Sequence, residues 1–273
     1  MRLLFSEAPA DYRRYFYPYV IWAVPEPGET PADLFGSGFL PGTPRLNRFY
    51  LCRNLRVDLG RYRATSENRR ILRKGAGIDV SLVARADYVF DDERRRAWLN
   101  YATARFGPGI MTERRLEDLM SGAVISHLLR FRETAGGREV GTVLLYLEEP
   151  RVAYYYFSFY DLDYFGRSLG MHMMTRAVGF FAERGVKHLH LGTCYSERAL
   201  YKAQFEGVEF FNGAGWSTNL EELKYLVRRA GEGGGSHVLD TPEFWERFYP
   251  GGLEALDSVF RLRRLSADEG AVL

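Results

Sequence analysis

The sequence Tyr160-Asp161-Leu162-Asp163, followed closely by Arg167-Ser168-Leu169-Gly170, sets two carboxylates, a phenol, a guanidinium and a small residue where an aromatic strand runs into a long helix. The first N–H groups of a helix have no internal partner, and the helix dipole favours an anion there. Arg167 adds positive charge, and Gly170 lets a ligand approach the backbone. Residues 167–170 are therefore expected to hold a phosphate-bearing donor for group transfer. The same residues could equally cap a helix and turn the chain, and Asp161 and Asp163 could equally close the turn.

Other reactive side chains are less organised. His188 and His190 alternate on a short strand without a carboxylate or cysteine at ligand spacing, so no metal is expected. Cys52 and Cys194 form no CxxC pair, which points to packed thiols rather than a disulfide framework. Arg53, Arg56, Arg61, Arg63, Arg69, Arg70, Arg73 and Lys74 form the strongest basic stretch, suited to phosphates and carboxylates alike.

The elements that must position these groups follow from periodicity and turn signals. Residues 49–57 read as one strand and 66–74 as a short basic helix. After Gly75-Ala76-Gly77 come a strand at 78–83, an amphipathic helix at 92–106, a second helix from Thr112 to Met120, and an apolar strand at 124–131. Residues 140–147 and 152–160 form a hairpin around Glu148-Glu149-Pro150-Arg151. A helix at 168–184, a strand at 188–192, a helix at 197–204, a strand at 208–211 and a helix at 219–229 complete the rhythm. Residues 25–44 read as loop. The expected organisation is an N-terminal accessory domain at 1–75, a transferase domain at 76–230, and a flexible link with a helical tail at 231–273.

This order of strands and helices resembles the GNAT fold of acyl-CoA N-acyltransferases, an α+β architecture with a mixed sheet flanked by helices. Tyr160-Asp161-x-Asp163, Ser168-Leu169-Gly170, Leu191-Gly192 and Tyr201-Lys202-Ala203-x-Phe205 more closely resemble the C-terminal half of arginyl-tRNA–protein transferases and of their bacterial relatives that transfer leucine. Cys52-Arg53-x-Leu55-Arg56-Val57 and Ser66-x-Asn68-Arg69-Arg70 extend the likeness. The resemblance implies transfer of an amino acid from charged tRNA to the N-terminal amine of a protein or peptide, with aminoacyl-tRNA as co-substrate and no resident cofactor. It places Tyr160, Asp161, Tyr201 and Lys202 at the chemistry: Asp161 or Asp163 on a cationic amine, Lys202 on the terminal phosphate or the oxyanion, Tyr201 on the 3′ leaving oxygen. Arg53, Arg56, Arg69 and Arg70 would grip tRNA or read an acidic acceptor. An acyl-CoA-dependent acyltransferase using acetyl-CoA, and a non-catalytic RNA- or protein-binding relative, are the alternatives.

The bulk properties agree. With 273 residues, 46% hydrophobic and 26% charged, the chain can bury a sizeable core. A net charge of +2 is not the bulk signature of a non-specific nucleic-acid binder. No stretch approaches the ~20 apolar residues of a membrane helix, and the opening residues reach acid and proline too soon for a signal peptide. A cytoplasmic protein without membrane or DNA partners is expected.

Overall fold

The computed structural model describes residues 1–7, 12, 19–231, 241–252 and 255. Two antiparallel-rich sheets share the chain. The smaller holds β1 (Arg2–Glu7), β2 (Tyr19–Val24), β3 (Phe39–Pro41) and β4 (Phe49–Leu51) in the order β1-β2-β4-β3. Inside the stretch expected as loop lies a short helix, α1 (Pro31–Gly36), with proline in its first turn and Leu34 and Phe35 buried.

The larger sheet carries the fold. It comprises β5 (Asn54–Asp58), β6 (Ile78–Ala84), β7 (His127–Glu133), β8 (Glu139–Glu148), β9 (Val152–Tyr160), β10 (His188–Thr193), β11 (Val208–Phe211) and β12 (Trp216–Ser217). Their order is β12-β11-β5-β10-β9-β8-β7-β6. The single strand expected at 49–57 is two strands. The chain leaves the small sheet after Leu51, turns through Cys52-Arg53 and enters the large sheet between β10 and β11. Helix α2 (Ser66–Lys74) then packs on α5 (Leu169–Glu183). Residues 54–74 thus belong with the large sheet, and the part that stays outside it ends before Asn54.

Burial on both faces explains the nearly continuous apolar reading of β8 and β9. Val143 and Leu145 face a core built with Met173, Ala177 and Phe181 of α5. Leu144 faces the opposite way, toward Trp98, Tyr101, Leu116 and Leu119 of α3 (Asp92–Phe106) and α4 (Glu113–Ser121). Gly141 is required by close packing, since a Cβ there would sit 2.6 Å from the Met173 sulfur. The expected hairpin is present, with Glu148 opposite Val152 and Gly141 opposite Tyr160. Its register shifts where Leu144 meets Phe157 and Leu145 meets Tyr155, a β-bulge that inserts Tyr156.

Helix α6 (Leu220–Gly231) and α7 (Pro242–Phe248) cover the α5 side; Phe244 is buried against Tyr225. The expected glycine link from residue 232, and the tail beyond α7 apart from a few residues, lie outside the described residues. Among the described residues, no helix is long and apolar enough to cross a membrane.

Candidate functional site

The central strands part at their C-terminal ends. β9 and β10 are parallel and pair only at Val152–Tyr154 with His188–His190. β9 continues along β8 to Tyr160, while β10 continues along β5 to Thr193. The two ends share no ladder, and a wedge is left between them. α5 starts at one side of this wedge and the 3-10 helix Glu197–Ala203 at the other.

On the β9 side, Tyr160 packs edge-on against Tyr101, with ring centroids 4.8 Å apart. A Cβ on Gly170 would approach the Tyr160 ring to 3.0 Å, so glycine lets the first turn of α5 sit this close without displacing the ring. Ser168, the N-cap, adopts φ 59° and ψ 35°, and its side chain makes no capping hydrogen bond. That left-handed conformation costs a residue with a Cβ roughly 1–2 kcal/mol, and no acidic residue occupies the first turn to offset the dipole. Tyr155 Oη is buried without a geometrically sound hydrogen bond, although Ser158, Tyr201 and Tyr160 lie close enough to influence it.

The β10 side holds two cations. Lys202 Nζ donates to the Thr193 carbonyl at 3.0 Å, and a Cβ on Gly192 would lie 3.7 Å from it. Burial pulls the Lys202 ammonium below its usual range, opposed by Cys194. Burial also lowers Arg53, against the opposing pull of Tyr195, Cys194 and Glu222. Arg53 Nη1 is buried without a hydrogen-bond partner, and its guanidinium lies 5.2 Å from the Tyr195 ring centroid. Glu222, the carboxylate Arg53 feels, already accepts from Asn212, Ser217 and Tyr249. Among the described residues no salt bridge reaches Arg53 or Lys202. Cys194 itself is fully buried, which raises its thiol pKa, while Lys202 and Arg53 pull it down.

A cleft of about 630 Å³, the size of a small-molecule site, lies beyond Tyr160 between α3 and the paired ends of β8 and β9. Trp98, Tyr101 and Phe159 form its apolar floor. Its charges are balanced. Glu139 accepts from Tyr88 (2.8 Å), Thr142 (2.7 Å) and Arg130 (2.8 Å), and Arg138 pairs with Asp161. Burial would raise the Glu139 carboxyl, but those hydrogen bonds and the Arg130 charge hold it below the usual range.

A family model described as an acetyltransferase (GNAT) domain matches residues 60–203. The chain belongs to the GNAT family. Curated relatives are named aspartate/glutamate leucyltransferase. One from Ruegeria pomeroyi is 25% identical over 172 residues, 60% of this chain and 61% of that protein. Another from Chromobacterium violaceum is 24% identical over 191 residues, 68% of this chain and 76% of that protein. The match thus spans under two thirds of the first relative's length. Among solved structures, a GCN5-related N-acetyltransferase from Sphaerobacter thermophilus is 17% identical, covering 63% of this chain and 51% of that one, with a TM-score of 0.37, too loose a superposition to argue from.

Within this GNAT chain, Tyr160, Ser168, Gly170, Tyr201, Lys202 and Arg53 border the wedge. Other expected residues do not. Asp161 pairs with Arg138, and its carboxylate accepts from the Asp163 backbone at 3.0 Å, so it closes the turn. Asp163 is exposed. The Leu169 side chain is in the core at 2% exposure, leaving only its backbone for a ligand. The Arg167 side chain lies outside what the structure describes. Arg56 is 8% exposed, pairs with Glu209 at 2.7 Å and lies 3.7 Å from the Trp216 ring centroid; it is a structural cation, not a ligand-binding one. Arg70 pairs with Glu67 in α2, and Arg69 donates to the Ala64 carbonyl. His190 is buried and bonded to Asn54 at 3.1 Å. Burial pushes the Cys52 thiol up to about 12. Tyr101, Arg138 and Glu139 had no local sequence signal, because each meets the site through a distant element.

Proposed function

We propose that this chain transfers an aminoacyl group from charged tRNA to the N-terminal α-amine of a protein or peptide beginning with Asp or Glu, with leucine as the group carried. The observation that carries this reading is the pair of desolvated cations, Arg53 and Lys202, that lack a carboxylate partner at the end of β10. Partly desolvated charges without a partner are costly, and an acidic acceptor side chain at Arg53 and the oxyanion at Lys202 would compensate them. The relatives' names supply the matching chemistry.

An aminoacyl ester is already activated, and an α-amine with a pKa of roughly 7.7–8.0 is partly neutral at pH 7. Catalysis then needs alignment and charge stabilisation more than a strong base. The ester carbonyl lies in the wedge, and the acceptor nitrogen attacks its carbon. The new C–N bond forms first, giving a tetrahedral intermediate, and its collapse breaks the C–O bond to the ribose 3′ oxygen. Tyr201, 47% exposed at the mouth, protonates that oxygen, and the amine's proton returns through water. Lys202 steadies the negative charge of the tetrahedral intermediate. The open first turn of α5 takes the carrier's terminal phosphate. No resident cofactor takes part, and the need for charged tRNA locates the reaction in the cytoplasm.

The test is mass spectrometry of peptides beginning with Asp, Glu, Lys or Ala after incubation with charged tRNA. A gain of one leucine on the acidic peptides, abolished by RNase, is expected. A gain of one arginine would change the donor and keep the reaction. The acetyltransferase match favours a second reading, acyl-CoA-dependent acylation; a gain only with acetyl-CoA would replace the first reading with it.

A further inference from the structure

Beside the first turn of α5, on its α2 side, is a second, smaller cavity that the transfer reaction does not use. It measures about 80 Å³, several times the roughly 10–15 Å³ that one water needs. Lys74, Gly75, Ala76 and Gly77 from the end of α2, Glu133 of β7, Tyr164, and Leu169 and His172 of α5 line it. His172 is 3% exposed, and neither ring nitrogen has a hydrogen-bond partner; the Ile71 carbonyl is nearby but out of geometry. Gly75 gives the ring its room, because a Cβ there would fall 2.0 Å from His172 Nδ1. Buried polar groups without partners are rare in native proteins and call for a ligand or water.

The charges select the ligand. Lys74 is exposed at the rim, and the uncapped positive end of α5 borders the same space. Glu133, the carboxylate in the wall, accepts the Tyr164 hydroxyl and lies in the field of Arg138. Arg73 precedes Lys74 in the last turn of α2. A tetrahedral oxyanion would meet an N–H of His172, the Lys74 ammonium and the helix dipole together.

We propose that this cavity is a second phosphate subsite, occupied by a phosphodiester of the RNA that carries the aminoacyl group. This rests on the tRNA-dependent reading above and adds to it: the donor is gripped at two successive phosphates, one ahead of Ser168 and one between Lys74 and His172.

Two measurements test it. The first follows the His172 ring by nitrogen-15 NMR, assigned with the His172→Gln variant, as inorganic phosphate is added to the full chain. A saturable shift of the His172 signals is expected, and none at high phosphate would overturn the subsite. The second measures binding of an acceptor-stem RNA as salt is varied. Lys74→Ala should reduce the slope of log K against log salt by about 0.7–0.9, the loss of one phosphate contact. An unchanged slope despite a phosphate shift would overturn the RNA assignment and leave a free-anion site. The reduced slope in a protein that transfers nothing from tRNA would uphold the subsite and sink the proposed reaction.

Discussion

Two arginine-bearing regions flank the end of β9, and they treat charge in opposite ways. Both cations lining the large cleft have a partner, Arg94 in Asp91 and Arg138 in Asp161, and the lining Glu139 meets Arg130. At the end of β10, Arg53 and Lys202 are more desolvated and have no such partner. A balanced network specifies local structure and leaves little free charge. A half-buried pair of cations without a carboxylate is costly by itself, which favours a ligand of opposite sign there. The difference separates scaffold from site more sharply than the number of arginines in either region.

The largest effects should fall on the unbalanced pair. Lys202→Met should lower transfer by about 10²–10³-fold, the loss of one oxyanion-stabilising donor. It should also leave the thermal midpoint unchanged or raised, because a desolvated charge is removed. Steady-state kinetics and calorimetry on the same variant decide this; a large fall in midpoint would make Lys202 structural. Arg53→Gln should reduce the preference for Asp over Asn at the acceptor's first position by about 10–100-fold in kcat/KM, as expected for one charge-assisted hydrogen bond. A preference that survives would move acceptor reading elsewhere.

The balanced cleft should respond in stability. Glu139→Gln leaves Arg130 without its buried carboxylate and should cost about 3 kcal/mol in urea unfolding. Because hydrogen bonds hold the Glu139 carboxyl below its unfolded range, its contribution is present above pH ~4.3 and is lost as pH falls through the folded value. The variant should therefore show a flatter acid limb. Histidines act in a higher window. Burial lowers His188 to about 4, so the unfolded chain takes up the proton first, and stability falls from about pH 6.5 downward. His188→Gln should flatten the midpoint between pH 6.5 and 4, as read by thermal unfolding.

What could be read from the sequence follows the range of the interactions involved. Helix 92–106 and the hairpin 140–160 coincide with α3 and with β8–β9, since periodicity and turn residues are local signals. The placement of Tyr160, Ser168 and Gly170 between a strand end and a helix start was legible for the same reason: it is one continuous stretch. Phe49 to Val57 looked like one strand because nothing local marks a change of sheet; β4 and β5 are separated by which sheet each joins. Arg56 looked like a ligand-binding residue because Glu209, its partner, is 153 positions away. Helix α1 was hidden by its own proline and glycine, although Thr30 followed by Pro31 is a helix start.

The smallest predicted effect bears most directly on the comparison. Asp161 stands at the boundary between the two regions, beside Tyr160, and its residue type fits a general base. Its geometry fits a turn: one oxygen accepts the Asp163 N–H, and the other meets Arg138, whose side chain is 54% exposed. Asparagine keeps the oxygen that closes the turn and removes only the charge. An exposed ion pair contributes roughly 0–1 kcal/mol, so Asp161→Asn should change stability within that range and transfer by about twofold at most. Alanine removes the turn contact as well, and should disturb the approach to Ser168 and weaken donor binding, seen as a higher KM for charged tRNA with kcat retained. If Asp161→Asn instead lowered kcat by about 10²-fold or more at unchanged KM, as loss of a general base does, the boundary would move: Asp161 would join Lys202 at the chemistry, and charge balance would no longer separate scaffold from site.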